Sequence, residues 1–192
     1  MPFVGMALKE SEREELEAGD QAPDFELRGT DGKTYSLEDF GGHTALLLVF
    51  TCNHCPYAQA KFDVLNGIAE DYDEVAVVGV NPNDADEYPE DSFEKMQDLV
   101  EDGTVRYDAY LRDGSQEVAR EYGATCTPDP FLFENRDGDF VLVYHGRLDD
   151  AVNPDDEPTR HHMREAIDAV LSGEEVDKGF LPSQGCSIKW KG

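Results

Sequence analysis

The chain has 192 residues, of which 43 are acidic and 16 are basic, giving a formal net charge of −27. This length suffices for one domain with a substantial core, and a hydrophobic fraction of 39% indicates a globular chain. The acidic residues are spread along the whole sequence, so we expect them to form a solvated surface. Such a surface argues against nucleic-acid binding and against an anionic membrane partner, because both carry phosphates that would repel it.

The first 18 residues predict an extension of the domain and no targeting segment. Residues 1–8 are apolar but short, lack a basic flank and run directly into a charged stretch, which fits neither a signal peptide nor a membrane span. Residues 9–18 predict a short charged helix, so we treat 1–18 as an N-terminal helical extension. Four cysteines are too few for a disulfide-stapled secreted domain, and we therefore expect a cytoplasmic protein.

A hairpin and a buried strand follow the extension. Residues 25–27 alternate apolar and charged side chains, and the turn signal Asp31-Gly32 connects them to a second strand at 34–37. Residues 36–40 can form one helical turn. Residues 45–50 are six consecutive apolar residues, which is the pattern of a strand that is buried on both faces.

The buried strand leads into a C-x-x-C motif formed by Cys52 and Cys55. Residues 57–69 then predict a helix, because apolar residues recur at the i, i+4, i+7 and i+11 spacing of one helix face. The cysteines thus lie where a strand passes into a helix N-terminus, whose free N–H groups and positive dipole end favour a thiolate. This arrangement is typical of a thioredoxin-like redox site.

The rest of the chain alternates strands and helices. We predict strands at 75–80, 107–111 (a short edge strand), 131–133 and 140–144, helices at 92–101, 115–122 and 159–171, and a tail at 174–192. This order predicts an α/β fold with a mixed central β-sheet and helices on both faces. We assign residues 19–173 to one domain and the tail to a segment that packs on it.

Several motifs carry a family resemblance. They are Gly19-x-x-Ala22-Pro23-Asp24-Phe25-x-Leu27, Asp31-Gly32-Lys33, Ser36-Leu37-x-Asp39-Phe40 and Thr127-Pro128. Together they resemble the thioredoxin-like redoxins related to the AhpC/TSA proteins. The C-x-x-C motif, the segment 125–131 and the C-terminal segment 185–191 are similar to a peroxiredoxin-like subgroup that keeps a C-x-x-C. The resemblance implies a thioredoxin-like fold with an N-terminal β-hairpin extension.

The chain departs from true peroxiredoxins, whose reactive cysteine follows a P-x-x-x-T-x-x-C pattern and has an arginine nearby. If Cys55 takes the peroxidatic position, Cys52 replaces the threonine, and the arginine position falls on or near Pro128. Both changes favour dithiol exchange. Compared with thioredoxin, Thr51 replaces the tryptophan before the first cysteine and Leu46 replaces a buried carboxylate. The resemblance therefore identifies no proton acceptor for the second thiol.

Dithiol exchange needs one thiolate that attacks and a second thiol within bonding reach. We assign Cys52 as the solvent-facing nucleophile and Cys55 as the shielded resolving thiol. His54 can stabilise the Cys52 thiolate and make the couple more oxidising, although a histidine at an exposed turn is often merely solvated. The resemblance implies that Pro128 is a cis-proline whose preceding backbone holds an extended substrate segment, and a trans turn proline is the alternative.

The two other cysteines are candidate auxiliary redox thiols. Cys126 lies two residues before Pro128 and is either a third redox thiol or a buried inert cysteine. Cys186 lies in a tail that can dock through Ile188 and Trp190. It is either a relay or second resolving cysteine, or part of a structural tail.

The leading hypothesis is a thiol–disulfide oxidoreductase that acts on a protein or small-molecule disulfide and is re-reduced by an unidentified thiol. The alternative is a peroxiredoxin-like thiol peroxidase that reduces hydrogen peroxide or alkyl hydroperoxides through a sulfenic acid. A third hypothesis, a Cu(I) or Zn²⁺ site of Cys52, Cys55 and His54 with or without Cys126, is disfavoured because a single C-x-x-C is present. We therefore predict an enzyme with redox-active cysteines, no metal and no other cofactor.

The acidic surface carries a second resemblance. With seven lysines in the whole chain, it is similar to the surfaces of proteins from salt-accumulating halophiles. This resemblance implies that the fold needs high salt to screen its own repulsion, so its melting midpoint should rise with salt.

Overall fold

The computed structural model describes residues 8–13 and 15–192. Its strands are β1 (Leu8–Glu10), β2 (Leu27–Gly29), β3 (Thr34–Tyr35), β4 (Ala45–Phe50), β5 (Val75–Asn81), β6 (Ala109–Arg112), β7 (Cys126–Thr127), β8 (Asp129–Arg136), β9 (Asp139–His145) and β10 (Gln184–Ser187). Its helices are α1 (Pro56–Gln59), α2 (Phe62–Asp71), α3 (Phe93–Glu101), α4 (Glu117–Tyr122) and α5 (His162–Leu171). Within the described residues, the strands form a seven-stranded sheet in the order β3-β2-β6-β5-β4-β8-β9 and a three-stranded sheet in the order β1-β10-β7.

Strand β4 lies in the centre of the larger sheet and has the bounds that its apolar run predicted. It pairs parallel with β5 and antiparallel with β8, and all six of its residues are buried. Because successive side chains of a strand point to opposite faces, Leu48 packs in a cluster with residues of α4, whereas Leu47 packs in a cluster with residues of α2 and α5. The sheet is thus mixed and covered by helices on both faces, as predicted.

The helix that follows the C-x-x-C motif is divided into two. Helix α1 begins at Pro56, with Cys55 as its N-cap, and α2 begins at Phe62 after a short break. Proline suits the first helical position, because its missing N–H would have no partner within the helix. The sequence predicted one continuous helix over 57–69, since the apolar spacing continues through the break.

The C-terminal tail forms the middle strand of the smaller sheet. In β10, Cys186 lies opposite Leu8 on one side and opposite Thr127 on the other. A Cβ atom on Gly185 would overlap the carbonyl oxygen of Thr127, so this close approach requires glycine. Beyond β10, the tail docks with Ile188 buried in the core that contains α4.

The helix predicted over 9–18 is wrong. Residues 8–10 form β1, and residues 11–13 and 15–18 adopt no helix. The charged composition favours a helix locally, but pairing with the distant tail strand stabilises an extended conformation instead. Residues 1–7, which belonged to the same predicted extension, lie outside the described residues.

The position predicted for the segment 107–111 is also wrong. Strand β6 lies between β2 and β5 and is not at the edge of the sheet. Its other neighbour, β2, belongs to the N-terminal hairpin, whose docking site was not visible in the sequence. Across residues 8–13 and 15–192, none of the helices combines the length and apolar character that crossing a bilayer requires.

Candidate active site

Three of the four cysteines meet beyond the C-terminal end of β4. Cys52 and Cys55 share a buried cluster with Cys186 of the tail. Cys55 and Cys186 form a disulfide whose Cα atoms are 6.4 Å apart, and Cys52 is free. In this structure, the second cysteine of the C-x-x-C motif is therefore joined to the tail and not to the first.

The Cys52 thiol is enclosed. The residue is 0% exposed, and its Sγ atom lies 3.3 Å from Oγ1 of Thr127. Burial and, to a smaller extent, the charge of Asp91 raise the pKa of Cys52 to about 12. Hydrogen bonds from Thr127 and from the backbone N–H groups of Cys55 and His54 act in the opposite direction but do not outweigh burial. The prediction that Cys52 faces solvent is wrong for this form of the protein, because the C-terminal tail packs over it.

A buried carboxylate, Asp91, lies close to this thiol at the end of a 3-10 turn. Its Oδ1 accepts a hydrogen bond from the backbone N–H of Asn53 at 2.7 Å, and its Oδ2 accepts one from Nδ2 of Asn83 at 2.9 Å. Nδ1 of His54 lies directly against Oδ2. Burial alone would raise the pKa of Asp91, but these contacts outweigh it and hold the pKa below its usual value. The interior thus contains an ionised carboxylate.

Sequence reasoning missed Asp91, because it assigned the acidic residues as a whole to a solvated surface. One signal was available. Strands β4 and β5 are parallel neighbours, and segments that follow the C-terminal ends of parallel strands lie at the same edge of a sheet. The loop after Asn81 therefore comes to lie beside the C-x-x-C motif that follows β4.

His54 lies close to both the Cys52 thiol and Asp91. Its side chain is 13% exposed and stacks on Tyr88, with ring centroids 5.7 Å apart. One donor atom from each of Cys52, His54 and Asp91 lies within 4.8 Å of the other two. The sequence predicted an effect of His54 on Cys52, and the structure brings the two side chains together. That effect itself stays a prediction.

The same three side chains have the spacing of a small metal site, but their contacts favour a hydrogen-bonded network. The carboxylate already accepts hydrogen bonds from Asn53 and Asn83, and the His54 ring lies against it. An ion would have to displace these contacts. Cys55, which the metal hypothesis also required, is held in the disulfide, and Cys126 lies outside the cysteine cluster.

The tail is fastened over this network by Lys189. Its backbone N–H donates to Oδ1 of Asn83 at 2.9 Å, and its carbonyl oxygen accepts from the backbone N–H of Asp84 at 2.8 Å. Burial lowers the pKa of Lys189, while attraction to Cys52 and Asp91 opposes this shift. The tail therefore brings a cation as well as a cysteine to the site.

Cys126 and Pro128 lie on either side of Thr127. The Thr127–Pro128 peptide bond is cis, as predicted. Cys126 is a buried free thiol whose Sγ lies 3.6 Å from the carbonyl oxygen of Pro128. Burial, together with the charge of Asp129, raises the pKa of Cys126 well above its usual value. Because side chains alternate along a strand, Cys126 points away from the face on which Thr127 contacts Cys52.

Known proteins resemble this chain over most of its length. The model of the AhpC/TSA family matches residues 18–146. A crystal structure of an uncharacterized conserved protein from Geobacillus kaustophilus has 41% identity and a TM-score of 0.89, covering 97% of this chain and 98% of that one. The thiol-disulfide oxidoreductase ResA of Bacillus cereus is 26% identical over 148 residues, which are 74% of this chain and 80% of that protein.

A crystal structure described as a thiol:disulfide interchange protein, DsbE, from Chlorobium tepidum is also similar. It has 25% identity and a TM-score of 0.56, covering 82% of this chain and 97% of that one. The predicted thioredoxin-like α/β fold is thereby confirmed, and the homologues support a redox enzyme in general terms. Membership of a peroxiredoxin-like subgroup stays a prediction.

Proposed function

Because this chain belongs to the AhpC/TSA family, we propose that it is a thiol–disulfide oxidoreductase whose working disulfide joins Cys55 and Cys186, with the Cys52 thiol beside it. The observation that supports this most directly is the bond between Cys55 and Cys186, with the Cys52 thiol in the same cluster. A disulfide and a neighbouring thiol are the components of thiol–disulfide exchange.

The tail occupies the place that the sequence predicted for a substrate segment. Strand β10 pairs antiparallel with β7 and sets Cys186 opposite Thr127, directly before Pro128. A sulfur-bearing extended segment of the chain itself thus lies beside the C-x-x-C motif. This supports a role for the tail in disulfide transfer.

In the proposed cycle, an external thiol attacks Sγ of Cys186, the disulfide cysteine that the tail carries. The Cys55–Cys186 bond breaks, and the Cys55 thiolate leaves and is protonated. A second thiol of the reductant then attacks the mixed disulfide, so the reductant is oxidised to its own disulfide and Cys186 becomes a thiol. The reduced protein transfers two electrons to a substrate disulfide by the reverse sequence, and the Cys55–Cys186 bond forms again.

The substrate in this proposal is a disulfide in a protein or a small molecule, and the reductant is a thiol. The cytoplasm stays the proposed compartment, on the basis of the low cysteine content and the absence of a disulfide framework in the sequence pattern. Such a compartment supplies thiols in excess, which suits the proposed direction of electron flow.

Cysteine variants test the proposal in a transfer assay with oxidised glutathione and a disulfide-bonded peptide as substrates. We expect Cys55→Ser and Cys186→Ser to abolish transfer, since each removes one partner of the disulfide. Cys126→Ser is the matched control, because Cys126 is equally buried but lies outside the cluster, and it should keep the parent rate. Full activity of Cys186→Ser would contradict the proposed role of the tail and favour a Cys52–Cys55 dithiol.

A thiol peroxidase is the second candidate, and the same disulfide favours it. A Cys55 thiolate that attacks a peroxide becomes a sulfenic acid and releases water or an alcohol, and condensation with the Cys186 thiol then forms the disulfide and water. The second-order rate of the reduced protein with hydrogen peroxide separates the two candidates. A rate close to that of a free thiol would exclude the peroxidase, and a rate orders of magnitude higher would favour it.

A further inference from the structure

We propose that His54, held in place by Asp91, accepts the proton of Cys52, so that Cys52 attacks Cys55 and releases Cys186 from the disulfide. The inference rests on the proposed function in one respect, because it takes the Cys55–Cys186 disulfide as the working bond. It assigns a proton acceptor to Cys52, the first cysteine of the C-x-x-C motif.

The step is an internal thiol–disulfide exchange that needs no outside oxidant or reductant. The proton on Cys52 moves to an imidazole nitrogen of His54, and the thiolate attacks Sγ of Cys55. The Cys52–Cys55 bond forms as the Cys55–Cys186 bond breaks, and Cys186 leaves as a thiolate that takes the proton back. The protein contains one disulfide in this cluster and the same number of thiols before and after the step.

The arrangement is that of a nucleophile, a base and an orienting carboxylate. The donor atoms of Cys52, His54 and Asp91 lie within 4.8 Å of one another, and proton transfer needs a contact of about 3 Å. Such contacts are often longer in resting proteins and shorten in the reacting complex. The carboxylate of Asp91 fixes the orientation of the ring through Nδ1 and stabilises the imidazolium that forms.

Cys52 needs an acceptor because its surroundings oppose ionisation. Burial raises its pKa to about 12, so the thiol stays protonated near neutral pH without a partner that moves the proton. The ionised Asp91 adds to this opposition. Once His54 carries the proton, its positive charge lies beside the Cys52 thiolate and the Asp91 carboxylate and offsets the repulsion between them.

The other titratable groups close to Cys52 are Lys189 of the tail, Tyr110 of β6 and Tyr107 in the segment before β6. Lys189 of the tail is attracted to the thiolate and favours it. The phenols of Tyr107 and Tyr110 are buried, and burial raises the pKa of each far enough to keep it neutral. A neutral phenol does not compete for the proton of Cys52, which leaves His54 as the acceptor among these groups.

Release of Cys186 can be measured in the oxidised protein without added reductant. N-ethylmaleimide alkylates an accessible thiol irreversibly, so Cys186 should become labelled as exchange proceeds, and mass spectrometry should find Cys52 joined to Cys55. The labelling rate is followed between about pH 5 and pH 9, which spans the range where an imidazole changes its protonation state.

His54→Gln and Asp91→Asn remove the acceptor and its orienting group. We expect His54→Gln to slow the labelling of Cys186 by about a hundredfold near pH 7, the usual contribution of a general base, and to change how the labelling rate depends on pH. Asp91→Asn should slow it in the same direction. If Asp91→Asn does not fold, His54→Gln decides the question. The His54 side chain is partly exposed, so its replacement should leave the fold intact.

Asp113→Asn is the matched control. Asp113 is another fully buried carboxylate, it accepts a hydrogen bond from the backbone N–H of Ala119 at 2.8 Å, and it lies outside the cysteine cluster. This variant should keep the parent labelling rate and pH profile. Equal labelling rates in His54→Gln and the parent would overturn the proposal, as would labelling of Cys52 in place of Cys186.

The outcomes also separate this step from the proposed function. If the protein releases Cys186 but reduces no external disulfide, the internal exchange stands and the proposed function is disproved. If it reduces external disulfides without releasing Cys186, the function stands and the internal exchange is disproved. One equivalent of zinc retained by the purified reduced parent and lost from His54→Gln would show that these side chains bind a metal, and it would overturn the proposal.

Discussion

Two groups of cysteine, histidine and aspartate lie on either side of strand β7, and they differ in how the carboxylate is held. In the first, Asp91 accepts hydrogen bonds from a backbone N–H and a side-chain amide as well as contacting His54, and its pKa is lowered. In the second, Oδ1 of Asp129 lies 2.6 Å from Nε2 of His145, yet burial raises the pKa of Asp129. The imidazole and one long contact from the Thr125 N–H at 3.4 Å do not compensate for the burial of Asp129, whereas the closer amide donors around Asp91, together with His54, do.

The histidines differ as well. The ring of His145 is buried and stacks on Phe131 with centroids 3.9 Å apart, whereas the side chain of His54 keeps a 13% exposed fraction beside the disulfide. Phe131 and Phe180 both pack against the His145 ring, which suits a group that holds the fold together. We therefore expect a structural role for the group with Cys126 and a chemical role for the group with Cys52.

The strongest test of this division is His145→Ala. Removing His145 leaves the Asp129 carboxyl buried without its main partner, so we expect a loss of about 3 kcal/mol in the free energy of unfolding, measured with urea. His54→Gln should cost about 1 kcal/mol or less, because Asp91 keeps its amide donors. If His54→Gln proved the more destabilising of the two, the division of roles would be reversed.

Gly185→Ala tests the packing of strand β10 against β7. The new Cβ would overlap the Thr127 carbonyl oxygen, so β10 must shift, and overpacking of this kind costs about 1–3 kcal/mol. The shift should also make Cys186 easier to reduce, measured as a higher rate of disulfide cleavage by dithiothreitol. Gly114→Ala is the control, since its Cβ meets open space, and it should change stability by less than about 0.5 kcal/mol.

Elements defined by local pattern could be predicted from the sequence. The apolar run of β4 marks a strand buried on both faces, and its observed bounds are those predicted. The break between α1 and α2 could not be predicted, because the apolar spacing continues through residues 60–61. The N-terminal segment was assigned to a helix, because the strand that pairs with it is more than 170 residues away.

The site was partly predictable for the same reason. The C-x-x-C motif and Pro128 are local signals, and both were located. The bond between Cys55 and Cys186 spans 131 residues, so the sequence left the role of the tail cysteine open. Asp91 was missed, since a carboxylate in an acidic loop has no local mark that separates it from its solvated neighbours.

The smallest expected effect concerns the pH dependence of stability, and it contrasts the two carboxyl groups directly. Asp91 has a lowered pKa in the folded protein, so its ionised form stabilises the fold above the unfolded pKa of about 3.9. This contribution is lost as the pH falls through the folded pKa. The cost of Asp91→Asn should therefore be largest near neutral pH and should shrink in acid.

Asp129 should show the opposite trend. Its pKa is raised in the folded protein, so the stabilisation from its neutral form is present below the unfolded pKa and is lost as the pH rises through the folded pKa. The cost of Asp129→Asn should thus be smallest near neutral pH and grow in acid. Urea unfolding of both variants at constant salt, from pH 7 downwards, measures the two slopes. Parallel slopes would mean that the amide donors around Asp91 do not set its charge, and the difference between the two groups would then have to come from accessibility alone.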